Sequence, residues 1–208
     1  MTHLSLLATA AVVICWGAVL LTWLAGALYN AFKGPAVRTR APFRSALLLG
    51  AVIVLVAVIV LVTVRLVPLA DWRPLVVRGP WARALGLAVL LGFTAFTLWA
   101  RVALGTMWSM DSLLKQEHQL RTSGPYAITR HPIYSGILGM LIGTVLLVGI
   151  GREVLILPVG VVLLEVKIHM EERLLLAAFP DDCPRYRRRV PQLVPGLRLA
   201  GWRATADA

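Results

Sequence analysis

Hydrophobic and polar positions alternate in this chain on the scale of whole helices. Five apolar runs, at about Leu4–Tyr29, Ser45–Val64, Ala84–Ala100, Tyr134–Ile150 and Val154–Ile168, are separated by short polar stretches. Runs of roughly 20 residues match the hydrocarbon core of a bilayer. The second run is dense in valine and isoleucine, which in water would suit a buried strand. It is too long for that, and in lipid a helix satisfies its own backbone. The first run carries no charge, and Trp16, Trp23 and Tyr29 are expected as interfacial anchors. Gly136, Gly139 and Gly143 recur at helical spacing in the fourth run and predict a face for close helix packing. The tight turn Gly149–Glu153 makes the last two runs a helical hairpin, and from Lys167 onward the tail is amphipathic and basic. The predicted fold is all-α integral membrane, with about five transmembrane helices and a cytoplasmic C-terminal region. It forms a single domain over residues 1–208. Residues 1–80 hold spans of no legible role, and the chemistry-bearing residues fall in 101–208.

Composition sharpens the class. The chain is 59% hydrophobic and 15% charged, with a mean hydropathy of +0.79. A soluble domain is nearer half apolar and a quarter charged. The formal net charge of +11 raises nucleic-acid binding. The basic residues, however, sit in the loops and tail, the pattern of membrane orientation and anionic-lipid contact, so no nucleic-acid partner is expected. With five spans, 16 lysines and arginines fall on one side and 5 on the other. That puts the N-terminus outside and the third loop and tail in the cytoplasm of an inner or plasma membrane. Cys15 and Cys183 are far apart and neither has a CxxC partner, so no disulfide or structural zinc is expected. The N-terminal run lacks a charged n-region and is too long for a signal peptide, so it reads as a retained span.

Three polar clusters carry candidate chemistry. The first is the cassette Ser123–Gly136, rigid and aromatic, with Gly124, Tyr126, Arg130, His131, Pro132, Tyr134 and Gly136. Pro132 suits the first turn of a helix, with His131 as N-cap. The free amides there favour an anionic group. Arg130 and His131 add donors, Tyr134 a hydroxyl or ring, and Gly136 an open approach. The cassette is either an interfacial turn on lipid phosphate or a loop on a nucleotide-like cofactor. The second cluster is Glu165, Lys167, His169, Glu171, Glu172 and Arg173. Glu165, His169 and Glu172 share one helix face. A di-metal bundle needs a second Glu-x-x-His copy on a facing helix, and the chain has none, so no metal is expected. A carboxylate here can accept a ligand ammonium, or the helix can simply be a salt-bridged surface. The third is the segment Phe179–Pro191, whose Arg185 and Arg189 can hold a carboxylate or phosphate of an acceptor. Alternatively, it lies on anionic lipid.

The chain has no Walker A, GxGxxG, GxSxG or HExxH motif. The clusters together resemble the membrane methyltransferases typified by isoprenylcysteine carboxyl methyltransferase, a superfamily that includes phospholipid N-methyltransferases. The matching text is Leu104-Gly105-x-x-Trp108-Ser109, Thr122–Tyr126 and Arg130-His131-Pro132-x-Tyr134-x-Gly136. After a hydrophobic hairpin come Glu171-Glu172-x-x-Leu175, Phe179, Tyr186 and Val190-Pro191. The resemblance covers roughly the C-terminal half. It implies S-adenosyl-L-methionine as methyl donor, in a pocket built by the Arg-His-Pro loop, the hairpin and the double-glutamate helix, closed over by the tail. By position, His131 would meet the donor's methionyl carboxylate, and Tyr134 and Gly136 would line the pocket. Glu171 or Glu172 would meet the methionyl amine or orient the arginines. The backbone of Thr122–Tyr126, with Gly124 and Tyr126, would lie near the adenosine. Glu172, Arg185 and Arg189 are the candidate catalytic residues. Pro180 and Cys183 stand where the family has glycine and tyrosine, which leaves the acceptor open among isoprenylated cysteine, a phospholipid amine, a small thiol and a polyprenyl or aromatic acid. The expected partners are a hydrophobic or lipid-like acceptor and membrane lipid, with the oligomeric state undecided. The competing class is a transporter or a scaffold gathering anionic lipid. A transporter predicts a polar path or an inverted repeat, and runs one, two and four have no ionisable residue in their cores.

Overall fold

In the computed structural model, described over residues 3–33, 37–40, 79–107, 113–115, 120–149 and 152–195, the apolar runs that fall within the described residues are helices. The long ones are α1 (His3–Lys33), α2 (Pro80–Leu104), α4 (Pro132–Val148) and α5 (Ile156–Ala178). Two short helices, α3 (Pro125–Ile128) and α6 (Asp182–Arg189), flank them. The predicted run Ser45–Val64 and the loop after it lie outside the described residues. Leu6–Asn30 and Pro80–Met107 are long and apolar enough to cross a membrane, and Pro132–Val148 is apolar but shorter. The run predicted to end near Ile168 continues as helix through Ala178. Its polar residues end the hydrophobic pattern without ending the helix.

Local chemistry sets the helix ends. α2 and α4 each begin with proline, Pro80 and Pro132, at a position whose amide would have no partner. Gly105 ends α2 at φ 57°, a conformation that costs a residue with a Cβ. Inside the helices, hydroxyls turn back to their own backbone. Thr94 donates to Leu90 O at 2.7 Å, Thr97 to Phe93 O at 2.7 Å and Thr144 to Met140 O at 2.8 Å. This is how such groups avoid meeting apolar surroundings unpaired.

The predicted glycine face is where α4 meets α2, with the two running antiparallel. A Cβ on Gly143 would lie 2.6 Å from Leu90 N, and one on Gly86 of α2 would lie 2.5 Å from Leu147 N. Gly139 faces the Phe93 ring and Gly136 faces Thr97. The small residues thus bring two backbones into contact. α5, the next helix in the chain, touches α4 through Leu141, which lies beside Gly160.

α1 lies across this pair and runs parallel to α2. Cys15 and Val19 pack with Leu90, Met140 and Leu147, while further along Trp23 and Ala27 pack with Ala100, Leu104 and Ile133. Gly26 leaves room for the Arg101 guanidinium. Trp16 does not sit near a helix end as an anchor would. It is half-buried mid-helix and donates its indole N–H to Thr144 Oγ1 at 3.1 Å. Tyr29, by contrast, is exposed, with Lys33 Nζ 5.9 Å from its ring centre. Leu7, Ile14, Leu21, Leu28 and Phe32 of α1 point outward, the surface lipid would cover.

The fold is helical but not purely so. β1 (Val37–Arg40) pairs antiparallel with β2 (Leu113–Lys115), with an irregular step between Val37 and Thr39. The ribbon joins the loop after α1 to the loop after α2. The pattern of apolar runs did not announce it, because both strands are short and lie in polar loops.

Candidate functional site

The polar residues converge where α4 begins, α5 nears its end and α6 turns back. Arg130 and His131 stand at the entrance to α4, Glu171 and Glu172 on α5, and Tyr186 and Arg187 on α6. As predicted, Pro132 opens the helix and His131 is its N-cap. The His131 ring makes no capping bond. It turns instead to the two glutamates and stacks on Tyr134, with ring centres 5.7 Å apart.

Glu172 is the centre of the cluster. Its Oε1 accepts from Arg130 Nε at 2.9 Å and lies 2.8 Å from the same guanidinium's terminal nitrogen. His131 Nε2 lies 3.3 Å from that oxygen, and Arg187 reaches Oε2 at 3.3 Å. Burial pushes the Glu172 carboxyl up. The His131 hydrogen bond and the charges of Arg130, His131 and Arg187 outweigh it and bring the group down to about 2. Glu172 is therefore an anion at any physiological pH.

Glu171 is placed differently. Tyr134 donates its hydroxyl to Glu171 Oε1 at 2.5 Å, Lys167 lies 3.9 Å from that oxygen, and His131 Nδ1 lies 3.7 Å from Oε2. Its side chain is 26% exposed against 12% for Glu172. Of the adjacent pair, Glu172 is spent on the protein and Glu171 is the more open.

The tail lies over the cassette. Arg130 N–H donates to Pro191 O at 2.8 Å and His131 N–H to Gln192 O at 3.1 Å. The Arg130 guanidinium also donates to Arg187 O at 3.2 Å and Val190 O at 2.8 Å. Two of the donors at the α4 entrance are thus occupied by tail carbonyls. Tyr186 donates to the Tyr126 carbonyl at 2.5 Å. Burial raises the Tyr126 and Tyr186 hydroxyls above the usual tyrosine range, so both stay protonated donors.

The structure brings together Arg130, His131, Tyr134, Glu171 and Glu172 from the sequence-predicted set. Gly124 holds φ 62° at the start of α3, beside the Trp99 ring, and Tyr126 is buried next to it. The space that Gly136 opens is filled by Thr97 rather than left for a ligand. Arg185 is 61% exposed, donates to Asp181 O at 3.0 Å and pairs with Asp182 at 3.5 Å. Arg189 is exposed as well. Neither arginine reaches the cluster, while Arg187, between them, does. Glu165 bonds the tail at Gln192 instead of joining His169 and Glu172. Among the described residues no group of three or more His, Cys, Asp or Glu is arranged to hold a metal ion. Trp108 and Ser109 of the Leu-Gly motif lie outside the described residues.

Comparison with known proteins meets this geometry. Residues 84–177, a little under half of the 208, match the isoprenylcysteine carboxyl methyltransferase (ICMT) family. The matched stretch contains α4 and all of α5 but one residue, with both glutamates, so the resemblance read from the motifs is borne out. A protein-S-isoprenylcysteine O-methyltransferase of Schizosaccharomyces pombe is 36% identical over 83 residues, 38% of this chain and 34% of that one. The cobalt-zinc-cadmium resistance protein CzcN of Cupriavidus metallidurans is 32% identical over 131 residues, 58% of this chain and 54% of the other. The chain thus spans about half of one relative and a third of the other.

Proposed function

We propose that the chain is an integral membrane methyltransferase that uses S-adenosyl-L-methionine and methylates a lipid-like or small hydrophobic acceptor at the cytoplasmic interface. The observation that carries this is the pair Glu171 and Glu172. One carboxylate is saturated by Arg130, His131 and Arg187, and the other is left more open beside Tyr134 and Lys167. The family match to the same stretch supports it.

The donor set fits such a cofactor. A methionyl group offers an ammonium and a carboxylate. Glu171 can take the ammonium, and His131 and Lys167, whose nitrogens lie 3.7 and 3.9 Å from the Glu171 oxygens, can offer donors to the methionyl carboxylate. When bound, the cofactor supplies a methyl already activated on a sulfonium sulfur. The rest falls to the chain. Glu172 orients Arg130 and Arg187, Tyr134 fixes Glu171, and Tyr186 together with the tail covers the cassette and limits water. Alignment of this kind supplies several kcal/mol of barrier lowering. A carboxylate or thiolate acceptor needs no strong general base, and the cluster contains none dedicated to that task.

The apolar outer faces of α1 and α2 suit an acceptor that enters sideways from lipid and leaves its polar end at the cluster. Acceptor carboxylate, thiol and amine all remain within this reading. The pairing of the loops after α1 and α2 supports the orientation from charge, which puts both loops on one side.

Calorimetry on detergent-purified protein tests the reading. S-adenosyl-L-methionine should bind, and Glu171→Gln should weaken it about tenfold or more, the scale of a lost charge-assisted hydrogen bond. Wild-type affinity indistinguishable from zero sinks it. A screen with labelled donor over prenylated cysteine, phospholipid amine, small thiol and apolar acid then assigns the acceptor.

A further inference from the structure

The segment Val190–Leu193 is a strap sewn onto two helices, and some of the residues that hold it belong to no ion pair of the site. Ser135, in the first turn of α4, is buried. Its hydroxyl lies 2.6 Å from Leu193 O, 3.1 Å from His131 O and 3.2 Å from the buried Thr129 Oγ1. With one proton to give, it donates to the nearest carbonyl, that of the strap. On the other side Gln192 donates its side-chain amide to Glu165 Oε2 on α5 at 2.8 Å. Ser135, Gln192 and Glu165 make no bond to Glu171, Glu172 or Arg187.

What these pins hold is α6. That helix has eight residues, far below the roughly 12–15 at which an isolated helix becomes even marginal in water. Its position is set at one end by the turn from α5 and at the other by the strap. α6 carries Tyr186 to the Tyr126 carbonyl and Arg187 to Glu172, and it buries the Cys183 thiol at 2% exposure.

We infer that Ser135, Gln192 and Glu165 are positioning residues, which fix the strap so that α6 holds Arg187 against Glu172 and thereby set donor affinity without touching the donor. The inference rests on the methyltransferase reading above for its donor, and on the strap geometry alone for the pinning.

Two readouts on the full chain in detergent test it. The first is the rate at which a maleimide labels Cys183, located by peptide mass spectrometry. The second is calorimetric affinity for S-adenosyl-L-methionine. Ser135→Ala, Gln192→Ala and Glu165→Ala should each speed Cys183 labelling and weaken donor binding about three- to tenfold, the size of one lost hydrogen bond. Glu165→Gln keeps an acceptor oxygen for Gln192 and should stay within about twofold of wild type in both readouts, a rescue expected from the retained bond. Labelling unchanged in all three alanine variants overturns the pinning. Faster labelling with unchanged donor affinity overturns the positioning role. A wild-type chain that binds no donor overturns the functional reading, and the positioning role with it, while the labelling readout still decides the pin.

Discussion

At the scale of single residues, two adjacent glutamates of the same type have been given different work by their surroundings. Glu172 receives Arg130, His131 and Arg187, and Glu171 receives Tyr134 and sits more open. Glu172→Gln leaves two arginines short of their counter-ion in a largely buried place. It should cost about 2–3 kcal/mol in thermal melting, the range for broken charged hydrogen bonds. The pH dependence follows from the same cluster. The Glu172 carboxyl is depressed to about 2 in the fold against an ordinary 4.5. Its stabilising contribution is complete above the ordinary value and is lost as pH falls from there toward 2. Melting temperature in the wild type should drop through that window, and the Glu172→Gln drop should be shallower. An identical slope in both would contradict the assignment. Most of this cluster was legible, because Arg130-His131-Pro132-x-Tyr134 and Glu171-Glu172 are compact in sequence. Arg187 was not picked from among four arginines within five positions. A signal was present all the same: Cys183 and Arg187 share one face of a short helix, with Arg185 and Arg189 turned away from it. The strap contacts of Ser135 and Gln192 had no such signal, since a hydroxyl or amide in a turn can bond in any direction.

Among elements, the decisive contact is backbone on backbone between α2 and α4. Gly143→Ala would set a methyl 2.6 Å from Leu90 N and 3.0 Å from Gly86 O, and backbone cannot rotate away. The expected loss is about 1–3 kcal/mol by thermal melting. Gly92→Ala is the control. Nothing lies within 4 Å of its added methyl, and alanine favours the helix by up to about 1 kcal/mol, so stability should hold or rise. Equal losses at both positions would show that the effect is not helix contact. The three glycines of α4 announced a close-packing face from spacing alone. Their partner could not be read, because periodicity shows that a face is small and says nothing about what fills it. The continuation of α5 past Ile168 was hidden for a related reason: charged side chains end a hydrophobic count, while the helix needs only its backbone.

Over the whole molecule, direction matters more than the number of spans. α1 and α2 run parallel, α4 runs opposite, and α5 returns to the same end as α1 and α2, where the polar cluster stands. The start of α1 and the tail are therefore at opposite ends of the bundle. An epitope ahead of α1 and one after α6 should be accessible from opposite faces of membrane vesicles, with the latter on the cytoplasmic face. Access from one face to both would overturn the orientation. The hydropathy pattern carried the relative directions of these helices. The β1–β2 ribbon escaped it, since its strands are four and three residues long and a pairing between distant loops leaves no periodic trace. The parallel course of α1 and α2 has an electrical side. Each helix end carries roughly half an elementary charge, positive at the N-terminus and negative at the C-terminus. Among the described long helices, the polar end of the bundle gathers the C-termini of α1, α2 and α5 against the N-terminus of α4. Lys33 and Arg101 answer the first two from within their own last turns, and α5 has no basic residue in its last turn. The arginines near it, Arg130 and Arg187, come from other elements and are bound to Glu172. The backbone of these described helices thus biases this end toward negative charge, the sign that suits the cationic donor proposed above.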